Sequence, residues 1–154
     1  MFHVKHLKIY LISLCFLLLG SALNAHCQIP CGIYDDNARI TLLFEHAKTI
    51  RKSVNKINSI EDSKNPNNQL TRWVMNKEKH ATEIQEIMNS YFLAQRIKLP
   101  KKDDKKSLKH YQKLLASSHK IIVAAMKTKQ TSNLNTVDFL TSSIEAFKAV
   151  YNHK

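Results

Sequence analysis

The sequence predicts an all-α fold, an antiparallel up-down-up-down four-helix bundle preceded by a short non-helical segment. Four long stretches carry apolar residues at spacings of three and four, which lays them along one face of a helix. No stretch alternates with a period of two, so no strand is predicted. The breakers are few and fall between the stretches: prolines at 30, 66 and 100, and glycines only at 20 and 32.

The first 25 residues are set apart from the fold. Lys5 and Lys8 make a basic start, Ile9 to Leu19 an apolar centre, and Ser21-Ala22-Leu23-Asn24-Ala25 a small-residue exit, the pattern of a leader peptide removed by cleavage. The apolar run is too short to span a membrane. Cleavage after Ala25 makes the protein exported, periplasmic or secreted, with no membrane attachment once the leader is gone, and leaves one domain over residues 26–154.

After the leader come residues 26–34, His26-Cys27-Gln28-Ile29-Pro30-Cys31-Gly32-Ile33-Tyr34. The first helix is predicted over about 38–60 from Ile40, Leu43, Ala47, Ile50, Val54 and Ile57. The second covers about 69–97 through Leu70, Trp73, Val74, Ala81, Ile84, Ile87, Met88, Tyr91 and Phe92. Its apolar coverage is wide, with Trp73, Ile87 and Phe92 outside the narrowest seam. The third, about 104–129, carries Leu108, Tyr111, Leu115, Ile122 and Ala125, widened by Leu114, Ile121 and Met126. Asp103 is its expected cap. The fourth, about 134–151, carries Val137, Leu140, Ile144, Phe147 and Tyr151, with Asn133, Asn135 or Thr136 as its cap. Four such stripes joined by short polar turns bury one another most simply as a bundle over about 38–152.

The chain holds 24 basic and 12 acidic residues; only Lys5 and Lys8 leave with the leader, so the net charge falls from +12 to +10. A basic surface attracts anions. The lysines are spread along the chain without an aromatic binding strip or a DNA-reading motif, so nucleic acid is not expected as a partner. Of three cysteines, Cys15 goes with the leader. A disulfide between Cys27 and Cys31 would close a loop of about five residues and constrain the unfolded chain little. The pair makes better sense as chemistry.

Cleavage at Ala25 exposes the α-amine of His26. That amine, the His26 imidazole, the amide nitrogen and thiolate of Cys27, and the thiolate of Cys31 can all reach one ion. A deprotonated backbone amide suits a metal that accepts square-planar geometry, nickel(II) or copper(II) rather than zinc. Residues 26–34 therefore read as an N-terminal metal-binding hook, and the paired Cys-x-x-Cys spacing of structural zinc is missing.

His26, Cys27, Pro30, Cys31, Gly32 and Tyr34 match every fixed position of His-Cys-x-x-Pro-Cys-Gly-x-Tyr, and in this the chain resembles the nickel superoxide dismutases. The resemblance extends in outline over residues 26–154. It implies a homohexamer of four-helix bundles with one nickel ion per subunit. The implied antioxidant reaction converts superoxide to dioxygen and hydrogen peroxide by Ni(III)/Ni(II) cycling. It implies His26, Cys27 and Cys31 as metal ligands, Pro30 as the proline that shapes the hook through a cis bond, and Tyr34 as the tyrosine closing the substrate pocket. Tyr91, in the Tyr91-Phe92 pair, matches a second pocket tyrosine. The chain departs from the family where an acidic residue of the first helix and an arginine of the second hold the axial imidazole: those places fall near Thr41 and His80, and Glu45, Glu78 or Glu83 could substitute. Two other readings are an exported helical nickel- or copper-binding protein without turnover, and a metal-free interaction domain with a Cys27–Cys31 disulfide.

Overall fold

Each helix begins where a side chain or a proline relieves the free amides of its first turn. The computed structural model describes residues 34–60 and 66–152, so the leader and residues 26–33 of the hook lie outside the described residues. Helix α1 runs Asp36–Asn58, two residues earlier than expected, because Asp35 caps it by accepting from the Ala38 amide at 2.9 Å. Helix α2 runs Pro66–Glu86. It starts on the proline itself, whose missing N–H is no loss in a first turn.

From Ile87 to Arg96 the same rod continues as a π-helix. The Ile97 amide bonds to the Phe92 carbonyl at 2.8 Å, a five-residue step. The periodicity of the sequence predicts only a continuous α-helix here. The wider turn lets neighbouring residues face inward in pairs, Ile87 with Met88 and Tyr91 with Phe92, all buried.

Asp103 does not cap the third helix. It takes a left-handed backbone conformation, φ 65°, which a short polar side chain tolerates, and so delivers Asp104 to the cap position. Asp104 accepts from the amides of Lys106 and Ser107, each at 3.0 Å, and α3 runs Lys105–Gln130. Helix α4 runs Leu134–Asn152, with Asn133 accepting from the Asn135 amide at 2.9 Å.

All four elements are helices, and no strand occurs among the described residues. Helix α1 packs on α2 and α4, and α3 packs on the same two, so the stripes meet in one interior. Ile40, Leu43, Ile50 and Val54 of α1, Ala81 and Ile84 of α2 with Met88 and Phe92 of its π-helical continuation, and Val137, Leu140, Ile144 and Phe147 of α4 are all buried there. The wide coverage of α2 is partly absorbed inside: Phe92 packs edge-on against Phe147 and Tyr151, with ring centroids 5.0 and 5.2 Å apart.

On α3 the expected stripe is rotated. Leu108 and Met126 are exposed, and the buried line is Leu114, Ser118, Ile121, Ala125 and Thr128. Two hydroxyl residues hold core positions, so an apolar count shifts the face. Thr128 makes this tolerable by bonding back to the Ala125 carbonyl at 2.7 Å.

Lys77 is also buried, and its ammonium donates to the carbonyls of Lys129 and Thr131 at 3.1 and 2.9 Å. It closes the C-terminal end of α3 from α2, and burial lowers its pKa. No helix among the described residues is long and apolar enough to cross a membrane.

Candidate active site

Tyr34 stands three residues after Cys31, at the start of the described chain, and the first turn of α1 follows at once. The foot of α1, the π-helical end of α2 and the last turn of α4 converge there. Asp36 is the focus. Its Oδ1 accepts from the Tyr91 hydroxyl and from Arg96 Nε, both at 2.8 Å; its Oδ2 accepts from Arg96 Nη2 at 2.8 Å and from the Tyr151 hydroxyl at 2.9 Å. One carboxylate thus takes a forked guanidinium and two phenols.

The charges follow from this geometry. Hydrogen bonds from Arg96 first, then from the two tyrosines, outweigh burial and bring the Asp36 carboxyl down to about 2. Tyr91 and Tyr151 go the other way. Burial and donation to the Asp36 carboxylate push both phenols up to about 12, so they remain protonated donors near neutral pH. Asp36 holds Arg96 firmly in its charged form.

Tyr34 is tied to this cluster from outside. It is 38% exposed, and its hydroxyl donates to Gln95 Oε1 at 2.9 Å. Its ring meets Tyr91 edge-on at 5.9 Å, and the Arg96 guanidinium lies over it at 4.5 Å. Arg39 stands over the Tyr91 ring at 5.2 Å. Tyr34 and Tyr91 are therefore brought together as adjacent rings. The metal ligands expected from the sequence, His26, Cys27 and Cys31, lie outside the described residues, as do Pro30 and Gly32.

Asp36, Arg96 and Tyr151 were not among the expected site residues. Asp36 follows Tyr34 by two, but as an acidic residue in a first helical turn it carries no signal of its own. Arg96 and Tyr91 reach the same carboxylate because a π-helix brings residues five apart into line, and Tyr151 comes from 115 positions away. His80 does not face a carboxylate: His80 Nδ1 lies 2.7 Å from His46 Nδ1. Thr41, Glu45 and Glu78 are exposed and Glu83 half-buried.

Among the described residues no group of three His, Cys, Asp or Glu side chains can hold a metal ion. The donors of residues 26–31, two thiols, an imidazole and a backbone amide, are the set in this chain whose chemistry fits nickel. The described residues form an all-α bundle, and the donor set that precedes it in the sequence is that of a metal-binding protein. The family model of nickel-containing superoxide dismutase matches residues 21–154, and the chain belongs to that family. Neither the curated proteins nor the solved structures returned a match. The protein is thus a nickel-dependent oxidoreductase that converts superoxide to dioxygen and hydrogen peroxide, and the readings as a metal carrier without turnover and as a metal-free interaction domain are set aside.

Proposed function

We propose that nickel is held at the N-terminus by His26, Cys27 and Cys31, one ion per chain, after residues 1–25 are removed on export to the periplasm or the exterior. The observation that carries this reading is the position of Tyr34. It links the ligand-bearing segment to a cluster that already contains the second expected tyrosine, Tyr91, and the family match spans both. The bound nickel supplies the one-electron Ni(III)/Ni(II) couple.

The chain's own residues do the rest. Tyr34 and Tyr91 wall the approach to the metal, with their hydroxyls held by Gln95 and Asp36. Tyr91 stays protonated because its hydroxyl donates into Asp36, so it orients rather than ionises. Arg96 and Arg39, lying over the two rings, keep positive charge beside that approach, which favours entry of superoxide. Each turnover to peroxide consumes protons, and Tyr34, the exposed phenol of the two, is the one free to relay them by turning its hydroxyl away from Gln95.

The same reading includes the finer architecture: antiparallel up-down-up-down order, supported by the short connections and the pairing of each helix with two others, and a homohexamer, supported by the family. Cys27→Ser and Cys31→Ser test it. Each variant is expected to lose nickel and at least about a hundredfold in dismutation rate, read by metal analysis and pulse radiolysis; sequencing of the active protein is expected to begin at His26. Full activity in either variant would overturn the assignment of ligands.

A further inference from the structure

Away from Asp36, α1 and α2 bring two imidazoles face to face. His46 Nδ1 and His80 Nδ1 are 2.7 Å apart, with ring centroids 5.0 Å apart and planes tilted by 47°. His46 lies ten residues after Asp36, and His80 eleven before Tyr91. At about 1.5 Å per residue the pair sits about 15 Å along the bundle from the tyrosine cluster.

In such a pair one Nδ1 carries a hydrogen and the other offers its lone pair. When that hydrogen is carried on Nε2 of the same ring instead, both imidazoles stay neutral and two Nδ1 lone pairs face one place from two helices. Both rings are half-buried, and burial, foremost, lowers the pKa of each, leaving neutral imidazole, the form that binds metals. Glu45 and Glu83 act on His46 through space, against Lys79; Lys79 and Glu83 act on His80. Glu83 is the carboxylate that acts on both rings.

We propose that His46 and His80 form a second metal site, on the bundle and separate from the N-terminal ligands, for a divalent ion of the zinc type. Tetrahedral zinc with bonds of about 2.0–2.1 Å sets two ligand nitrogens about 3.3 Å apart. The pair reaches this by opening a little over about half an ångström from its hydrogen-bonded distance. No third His, Cys, Asp or Glu completes a cluster among the described residues, so water fills the remaining positions and the ion exchanges readily.

The test titrates nickel-loaded mature protein with Zn²⁺ and measures both metals per chain. Wild type is expected to take up zinc beside undiminished nickel. His46→Asn and His80→Asn keep an amide near the place of Nδ1 and so a polar contact across the seam; each is expected to weaken zinc binding at least about tenfold with nickel unchanged. Nitrogen NMR of the wild type gives a readout that does not depend on either variant folding: zinc shifts both Nδ1 resonances. No zinc uptake by the wild type leaves a proton-sharing pair only and overturns the site. So does uptake that both variants retain, or uptake that Cys27→Ser abolishes, which places the ion on the N-terminal ligands instead. Loss of nickel in Cys27→Ser with zinc retained supports both sites separately.

Discussion

Asp36 is the residue on which the cluster turns, and its effect on stability has a definite sign. Its carboxyl titrates at about 2 in the fold against an ordinary value of 3.8. A depressed carboxyl contributes stability that is present above the unfolded pKa and lost as pH falls through the folded one. The contribution at neutral pH is about 2 kcal/mol. Urea unfolding of the wild type is expected to lose it between pH 3.8 and about 2, and Asp36→Asn to lack that step. The two tyrosines behave oppositely: their raised pKa values contribute below pH 10 and are lost as pH rises through about 12. Tyrosinate absorbance should therefore show two phenols ionising late in the wild type and near their ordinary value in Asp36→Asn. Tyr34 and the proposed ligands His26, Cys27 and Cys31 are legible in the sequence because their spacing is local. Asp36 is not, since an acidic residue after a tyrosine looks like any helix start until Arg96 and Tyr151 arrive beside it.

At the scale of elements, the helix stripes are written in the spacing of apolar residues, and α1 and α4 bury what that spacing selects except at Ile57 and Tyr151, which are half-buried. Helix α3 departs because Ser118 and Thr128 occupy its inner face. Among the described residues Ser118 Oγ is buried without a hydrogen-bond partner. Ser118→Ala is expected to be neutral or to raise stability by up to about 1 kcal/mol, read from the denaturant midpoint. Lys77→Met should do the reverse. It strips two carbonyls at the end of α3 of their donor and is expected to cost about 1–3 kcal/mol, with α3 amides exchanging faster than those of α1. The π-helical end of α2 is invisible to an α-helical periodicity. It forms because the wider turn buries Tyr91 and Phe92 side by side while Arg96 still reaches α1.

For the whole molecule, the basic balance bears on rate rather than on fold. With a net charge of +12 and arginines over the two rings, superoxide is expected to be steered to the protein. The second-order rate is expected to fall several-fold as ionic strength rises from about 0.01 M to about 0.15 M. A rate indifferent to salt would show that the charge is placed where the substrate does not pass. The residues alone announce four helices, their order and nearly their limits, and the proposed donor set of residues 26–31, because helical periodicity and chelate spacing are properties of neighbours along the chain. Folding alone brings together Asp36, Arg96, Tyr91 and Tyr151, and His46 with His80. Those contacts join helices whose register against one another depends on how whole faces pack, and no local spacing encodes that.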